Sequence, residues 1–159
     1  MVKKYQPYAN GQNDLRRGVE FIGVSCAFIC HDGKGRILLG KRSQNCRDEQ
    51  GTWDFGGGSH EFGATLVQTV KREIKEEYGV KAADLKFIKV YDAHRQLADG
   101  TPTHWVVALF AAKVDPAKVK NNEPYKIDEI GWFKPDQLPE SMHSQAAHNI
   151  KSAILIKAI

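Results

Sequence analysis

The sequence has no long hydrophobic run, although 42% of its 159 residues are hydrophobic. No stretch approaches the roughly 20 apolar residues that a membrane-spanning helix requires, so we expect no membrane partner. The opening residues, MVKKYQPYANGQND, are basic but no apolar segment follows them, and we expect no signal peptide. A chain of this length and composition suits one globular domain, and residues 1–19 are predicted to form an irregular arm.

Cysteine is scarce and unpaired, since the chain contains only Cys26, Cys30 and Cys46. An odd number without a CxxC pair argues against a disulfide framework and favours a reducing compartment, so we expect a cytoplasmic location. A zinc site at Cys26, Cys30 and His31 is disfavoured, because residues four apart on a strand lie about 13 Å from each other. We therefore expect Cys26 and Cys30 to be core thiols.

Long basic runs are also missing, although the formal net charge is +4. Basic residues occur at most in pairs such as Lys41-Arg42, whereas nucleic-acid-binding proteins usually carry a denser basic stripe. We expect a small polyanion as the partner, not a long nucleic acid. The alternative, that the basic residues only solvate the surface, stays open at this point.

The hydrophobic pattern predicts a mixed α/β domain. Strands are predicted over residues 21–30, 36–42, 52–58, 85–94, 103–114 and 127–135, the first two as a hairpin and the last at a sheet edge. A helix is predicted to begin after Thr65, which forms a capping-box pattern with Gln68, and to end at Gly79. A second helix is predicted over 144–159, with Ser144 as its N-cap.

The first predicted helix gathers Glu73, Glu76 and Glu77 on one face, because positions i, i+3 and i+4 meet in a helix. Like charges at this spacing destabilise a helix by a few tenths of a kcal/mol per pair. These glutamates border the apolar stripe of the helix, where their repulsion is less screened than in solvent. A divalent cation that draws them together explains the pattern, and the alternative is an ordinary surface helix.

A glycine run, GGGSHEFG over residues 56–63, precedes this helix. Consecutive glycines let a ligand approach the backbone closely, although a glycine-rich loop alone is weak evidence of a site. A loop carbonyl together with several carboxylate oxygens is a ligand set that Mg²⁺ or Mn²⁺ prefers.

The segment from Gly58 to Val80 resembles the Nudix box, G-x5-E-x7-R-E-U-x-E-E-x-G-U, in which U is a bulky aliphatic residue. The matching positions are Gly58, Arg72, Glu73, Ile74, Glu76, Glu77, Gly79 and Val80. The flanking segments TWDFGGG and EIGWFKPDQLP also resemble the family's sequences. The resemblance implies the Nudix-type α/β/α sandwich with a mixed β-sheet, in a single domain over residues 1–159.

Two positions depart from the family's pattern. Ala64 stands where the box has its first glutamate, which in the family pairs with the box arginine. Arg72 is therefore expected to lack that partner unless Glu61 substitutes for it. Gly56 stands where a proline is usual, and we expect a more mobile loop. Neither departure removes a metal ligand.

The resemblance implies a reaction and a set of site residues. Nudix hydrolases use a divalent metal to cleave a phosphoanhydride bond of a nucleoside diphosphate linked to another group. The implied catalytic residues are Arg72, Glu73, Glu76 and Glu77, and the implied metal ligands are those three glutamates with the Gly57 carbonyl. The implied substrate contacts are Arg42, Gly57, Gly58 and Trp105. Further candidates are Asp99, Glu123 and Glu129 as an alternative to Glu73 for the general base, Tyr91, His94 and His104 for stacking, and Asp54.

The expected substrate is a small nucleotide, cleaved as by a MutT-like nucleoside triphosphate pyrophosphohydrolase or an ADP-ribose pyrophosphatase. The alternative is a non-catalytic Nudix-fold module that binds and senses a nucleotide. Assembly as a homodimer is left open.

Overall fold

The computed structural model describes residues 15–159, so most of the predicted N-terminal arm, residues 1–14, lies outside the described residues. Within that range the elements are β1 (Gly23–His31), β2 (Ile37–Arg42), β3 (Trp53–Asp54), β4 (Gly56–Ser59), α1 (Leu66–Tyr78), β5 (Asp84–Gln96), β6 (Pro102–Lys113), β7 (Ile127–Phe133) and α2 (Ala146–Leu155). Neither of these helices is long and apolar enough to cross a bilayer.

The strands form one mixed sheet in the order β3-β2-β1-β6-β5, with β4 paired to β1 and β7 paired to β2. β1 and β6 run parallel over nine residue pairs, from Gly23↔Trp105 to His31↔Lys113. All the other pairings are antiparallel. The long β5 pairs with β6 alone and therefore closes one edge of the sheet, and β7 is the predicted edge strand.

The predicted hairpin of β1 and β2 is confirmed only at its turn, where His31 faces Ile37. Beyond the turn the strands separate, because β4 pairs with β1 from Ser25 to Phe28. The glycines of β4 permit this close approach. A Cβ built on Gly57 would lie 2.9 Å from the Cys26 carbonyl oxygen.

The single strand predicted over residues 52–58 is wrong in one respect, since the structure divides it into β3 and β4. The two pieces pair with different neighbours, β3 with β2 and β4 with β1. The break falls at Phe55, whose backbone N–H donates to Asp54 Oδ1 at 2.8 Å and not to a neighbouring strand.

One helix covers each face of the sheet, which confirms the predicted α/β/α sandwich. The core beneath α1 contains Phe28, Val70, Ile74 and Tyr78 together with Cys26 and Cys30, which are core thiols as predicted. The core beneath α2 contains Ile29, Leu39, Trp105, Leu109, Ala146, Ile150 and Ala153.

The predicted ends of α1 are confirmed, and both predicted ends of α2 are wrong, since it spans Ala146–Leu155 and not 144–159. Thr65 and Gln68 form the full capping box, and Gly79 ends the helix in a left-handed conformation with φ of 66°. Gln145 occupies the N-cap position of α2 without a side-chain capping bond. The Ser144 hydroxyl instead donates to Glu49 Oε1 at 2.7 Å, so it makes a tertiary contact and does not cap α2.

Candidate active site

A cleft of about 440 Å³ is lined by the glycines of β4 and by polar side chains from several elements. Those side chains come from the end of β2, the β2–β3 loop, β3, the end of α1, β5, β6, the residue before β7 and the segment before α2. The residues discussed below that line it are Arg42, Arg47, Asp48, Asp54, Gly57, Gly58, Glu77, Tyr91, Arg95, Trp105, Lys126 and His143.

The glycine run packs directly on two of the three predicted glutamates. A Cβ on Gly58 would collide with the carboxyl group of Glu73, and a Cβ on Gly56 would collide with Glu77 Oε2 and the Phe28 ring. The Gly57 N–H donates to Glu77 Oε1 at 3.3 Å. The missing side chains of β4 therefore give the carboxylates of α1 access to the strand backbone.

Glu73 and Glu77 are buried, and their burial perturbs their charge. Burial raises the pKa of Glu77 to about 8. The hydrogen bond from the Gly57 N–H stabilises the carboxylate and opposes this rise. Burial also raises the pKa of Glu73, while the adjacent Arg72 lowers it. Glu77 Oε2 is buried and has no hydrogen-bond partner among residues 15–159. A buried carboxylate oxygen without a donor fits a cation, since an uncompensated buried anion is costly.

Glu76 does not join the other two glutamates beneath the glycine run. Its side chain is exposed and pairs with Arg72 Nη1 at 2.8 Å. Within the described part of the chain, no three histidine, cysteine, aspartate or glutamate side chains are already grouped as a metal site. The prediction that Glu73, Glu76 and Glu77 bind one ion thus stays a prediction, and it requires Glu76 to turn from Arg72.

Arg72 has partners despite Ala64. Its Nη2 lies 2.8 Å from Glu73 Oε1 and 3.5 Å from Glu61 Oε1. The carboxylate at the longer distance, that of Glu61, is exposed. Exposed ion pairs of this kind contribute about 0–1 kcal/mol to the free energy of unfolding. Glu61 therefore approaches Arg72, as the sequence suggested, but holds it weakly.

Arg42 is largely buried at the cleft, with 21% of its side chain exposed. Its Nη2 lies 2.6 Å from Asp48 Oδ1 and donates to the Asp48 carbonyl oxygen at 2.8 Å. Its Nη1 lies 3.7 Å from Asp54 Oδ2. Burial raises the pKa of Asp54 to about 7, and the Arg42 charge opposes that rise.

Several lining residues were missed by the sequence analysis, among them Asp48, Arg95 and His143. Arg95 Nη1 lies 3.4 Å from Asp48 Oδ2 and 3.0 Å from His143 Nε2. Burial lowers the pKa of His143 to about 4. Arg95 was not considered as a strand residue because the predicted strand ended at residue 94, whereas β5 continues to Gln96. Asp48 lay in a segment interpreted only as a polar loop.

Only some of the aromatic side chains predicted to contact the substrate line the cleft. Trp105 lines the cleft, packs against Gly18 and Gly23, and carries the Arg47 guanidinium 5.2 Å from its ring centroid. Tyr91 also lines the cleft.

The remaining aromatic candidates lie outside the cleft lining. His94 and His104 pack against each other with centroids 4.3 Å apart.

Of the distal general-base candidates, Glu123 is the one whose charge acts on Glu77, raising the pKa of Glu77 further. Its Oε2 pairs with Lys126 Nζ at 2.9 Å, and Lys126 lines the cleft. Asp99 instead accepts the Thr101 N–H in the turn between β5 and β6. Glu129 lies on β7 opposite Lys41. Neither Asp99 nor Glu129 lines the cleft.

Comparison with known proteins agrees with this geometry. The protein-family model described as the NUDIX domain matches residues 22–153, and the chain therefore belongs to the Nudix hydrolase family. The chain is 28% identical over 119 residues to the NAD-capped RNA hydrolase NudC of Citrobacter koseri, covering 72% of this chain and 40% of the relative. It is 29% identical over 116 residues to NudC of Pectobacterium carotovorum, again covering 40% of that protein. The chain thus spans about two fifths of the length of these curated relatives.

Solved structures show the same fold. The crystal structure of a MutT NUDIX hydrolase from Burkholderia pseudomallei superposes with a TM-score of 0.71 at 28% identity, covering 82% of this chain and 96% of that one. A MutT protein from Methanosarcina mazei Go1 superposes with a TM-score of 0.69 at 22% identity, covering 87% and 96% of the two chains.

Proposed function

We propose that the chain, taken as one domain over residues 1–159, is a Mg²⁺- or Mn²⁺-dependent pyrophosphohydrolase. It cleaves a phosphoanhydride bond of a nucleoside diphosphate linked to another group. The observation that carries this proposal is the buried, unpartnered Glu77 Oε2 beside Glu73 and the glycines of β4. Arg42, a largely buried arginine that lines the same cleft as Glu77 and these glycines, supports a phosphorylated substrate.

The metal ligands in this proposal are Glu73, Glu76, Glu77 and the carbonyl oxygen of Gly57. A bound divalent ion supplies charge neutralisation at the phosphates and lowers the pKa of a bound water. Arg72 holds Glu73 and Glu76 from one side through its two 2.8 Å contacts. Arg72 therefore keeps Glu73 in place, whereas Glu76 must turn from Arg72 to reach the ion.

The substrate is bound by the backbone and by side chains of the cleft. Gly57 and Gly58 line the cleft, where phosphate oxygens contact the backbone of β4. Arg42 binds phosphate oxygens, for which its guanidinium is well suited. Trp105 contributes an apolar wall. Glu73 accepts the proton of the attacking water at its carboxylate, with Glu123 as the alternative base.

The proposed substrate class is a nucleoside triphosphate, as for a MutT-like pyrophosphohydrolase, with ADP-ribose as the second class. The similarity to a MutT NUDIX hydrolase at 28% identity supports the first. The relatives named NAD-capped RNA hydrolase add dinucleotides to the compounds worth testing.

A non-catalytic nucleotide sensor is the competing function. The contacts of Arg72 with Glu73 and Glu76, and the loss of the first box glutamate at Ala64, favour it. An assay of phosphate and monophosphate release with Mg²⁺ separates the two functions. The panel contains nucleoside triphosphates, ADP-ribose and NAD, and the proteins are the wild type, Glu77→Gln and the exposed control Glu140→Gln.

Turnover that requires the metal, persists in Glu140→Gln and is lost in Glu77→Gln supports the enzyme. Tight binding of a nucleotide without turnover by the wild type supports the sensor. A wild type that neither binds nor cleaves any member of the panel contradicts both functions.

A further inference from the structure

A single carboxylate joins two arginines from distant strands at the cleft. The Asp48 side chain is 5% exposed, and its Oδ1 lies 2.6 Å from Arg42 Nη2. Its Oδ2 lies 3.4 Å from Arg95 Nη1. Arg42 ends β2 and Arg95 is near the end of β5, and β1 and β6 lie between these strands in the sheet. Asp48 thus connects the two sides of the cleft.

The backbone at Asp48 is fixed from both sides. Arg42 donates through Nε and Nη2 to the Asp48 carbonyl oxygen, at 3.1 and 2.8 Å. The next residue, Glu49, has a left-handed backbone with φ of 46°, which is costly for a residue with a side chain. Its carboxylate accepts the Ser144 N–H and hydroxyl at 2.7 Å each, so the N-terminal approach to α2 holds the loop in place.

The two arginines have donor groups that are not used within the described residues. Arg95 Nε is buried and has no hydrogen-bond partner among them. Arg42 Nη1 has only the longer contact of 3.7 Å with Asp54. Two largely buried guanidinium groups without an intervening anion repel each other, because their charges are less screened than in water. The carboxylate of Asp48 removes that repulsion and fixes the direction of both groups.

We propose that Asp48 is a positioning residue, which holds Arg42 and Arg95 in the orientation that binds the phosphates of the substrate. This inference rests on the proposed function, since it assigns phosphate contacts to the same cleft. Asp48 touches no substrate itself and acts through the two arginines.

The competing explanation makes the opposite prediction. If Asp48 only offset positive charge, replacing it by asparagine would raise the positive potential of the cleft and tighten the binding of an anion. If Asp48 positions the arginines, the same replacement weakens binding although the cleft becomes more positive. The sign of the change in affinity therefore distinguishes the two.

The test compares Asp48→Asn with Asp32→Asn. Asp32 is a matched control because it is a buried carboxylate that pairs with an arginine, Arg36, at 2.7 Å in the β1–β2 turn. Calorimetry measures the Kd of an α,β-methylene nucleoside triphosphate with Mg²⁺ present. Steady-state kinetics measures KM and kcat with the best substrate of the panel.

We expect Asp48→Asn to raise Kd and KM about tenfold or more, as for lost hydrogen bonds to charged groups, and to change kcat less than about threefold. Asp32→Asn should leave Kd and KM unchanged. Arg95→Gln should also raise Kd, and Asp48→Asn should raise Kd by a smaller factor in that background than in the wild type, because the contribution through Arg95 is already lost and only that through Arg42 remains. Asp48→Glu should recover part of the lost affinity.

Tighter or unchanged binding by Asp48→Asn overturns the inference while leaving the proposed function intact if turnover persists. Should Asp48→Asn fail to fold, Asp48→Glu decides, because it keeps the charge and moves the carboxylate: weaker binding than the wild type supports the inference and unchanged binding overturns it. A wild type with neither binding nor turnover overturns the proposed function and this inference together.

Discussion

Replacing Gly58 by alanine should separate activity from stability. All three atoms nearest to a Cβ at this position belong to the carboxyl group of Glu73, the end of a flexible side chain. Relief of the collision thus needs a change in one side chain, at about 0.5–1.5 kcal/mol. The more restricted unfolded chain offsets about 0.4–1 kcal/mol of that cost. The free energy of unfolding should fall by no more than about 1 kcal/mol.

In a protein of this size about 1 kcal/mol corresponds to a Tm shift of roughly 2–4 °C. Displacing the Glu73 carboxylate should nevertheless reduce metal-dependent hydrolysis by about 10- to 100-fold, the effect typical of misoriented metal ligands. Thermal denaturation by circular dichroism and the phosphate-release assay measure the two quantities.

Gly100→Ala is the matched control with the opposite pattern. No atom lies within 4 Å of a Cβ at Gly100, but its φ of 83° is unfavourable for alanine. The expected result is a stability loss of about 1–2 kcal/mol with full activity. The reasoning is refuted if Gly58→Ala retains wild-type hydrolysis, or if it loses activity only because it unfolds.

Three further predictions concern the charges at the cleft. Burial raises the pKa of Glu77 in the folded protein to about 8, so the metal-free protein should lose stability as the pH rises from about 4.5 to 8, and Glu77→Gln should reduce that loss in thermal melts, leaving the part due to Asp54 and Glu73. Ala64→Glu should give Arg72 the partner that the family's glutamate supplies and raise the free energy of unfolding by up to about 1 kcal/mol; no rise in denaturant titrations contradicts this. Burial lowers the pKa of His143 to about 4, so its imidazole resonances should not titrate between pH 8 and 5 in NMR spectra.

Local signals in the sequence were sufficient for the elements whose ends are fixed by neighbouring residues. The capping box of Thr65 and Gln68 and the left-handed Gly79 depend only on the helix itself, and both are confirmed. The start of α2 could not be predicted in this way. Ser144 bonds to Glu49, which is 95 residues away, and a contact so distant leaves no trace in the local pattern.

The same distinction applies to the candidate site, where local spacing predicts some residues and long-range contacts determine the others. The Nudix box predicts Arg72, Glu73 and Glu77 near the glycines because fixed spacing on one helix determines their positions. The box carries no information on the cluster of Asp48, Arg95 and His143, which comes from three separate segments. Those residues come together only because the sheet places the ends of β2 and β5 at the same cleft. A single sequence does not show which distant segments are neighbours in the fold.

Binding of Mn²⁺ measured by electron paramagnetic resonance tests the central claim most directly. The claim is that the carboxylates beneath the glycines of β4 hold a hard divalent cation. With a non-hydrolysable nucleotide present, we expect the wild type and Glu140→Gln to bind Mn²⁺ alike, and Glu77→Gln to bind at least about tenfold more weakly. Equal Mn²⁺ affinity of the wild type and Glu77→Gln would contradict the account.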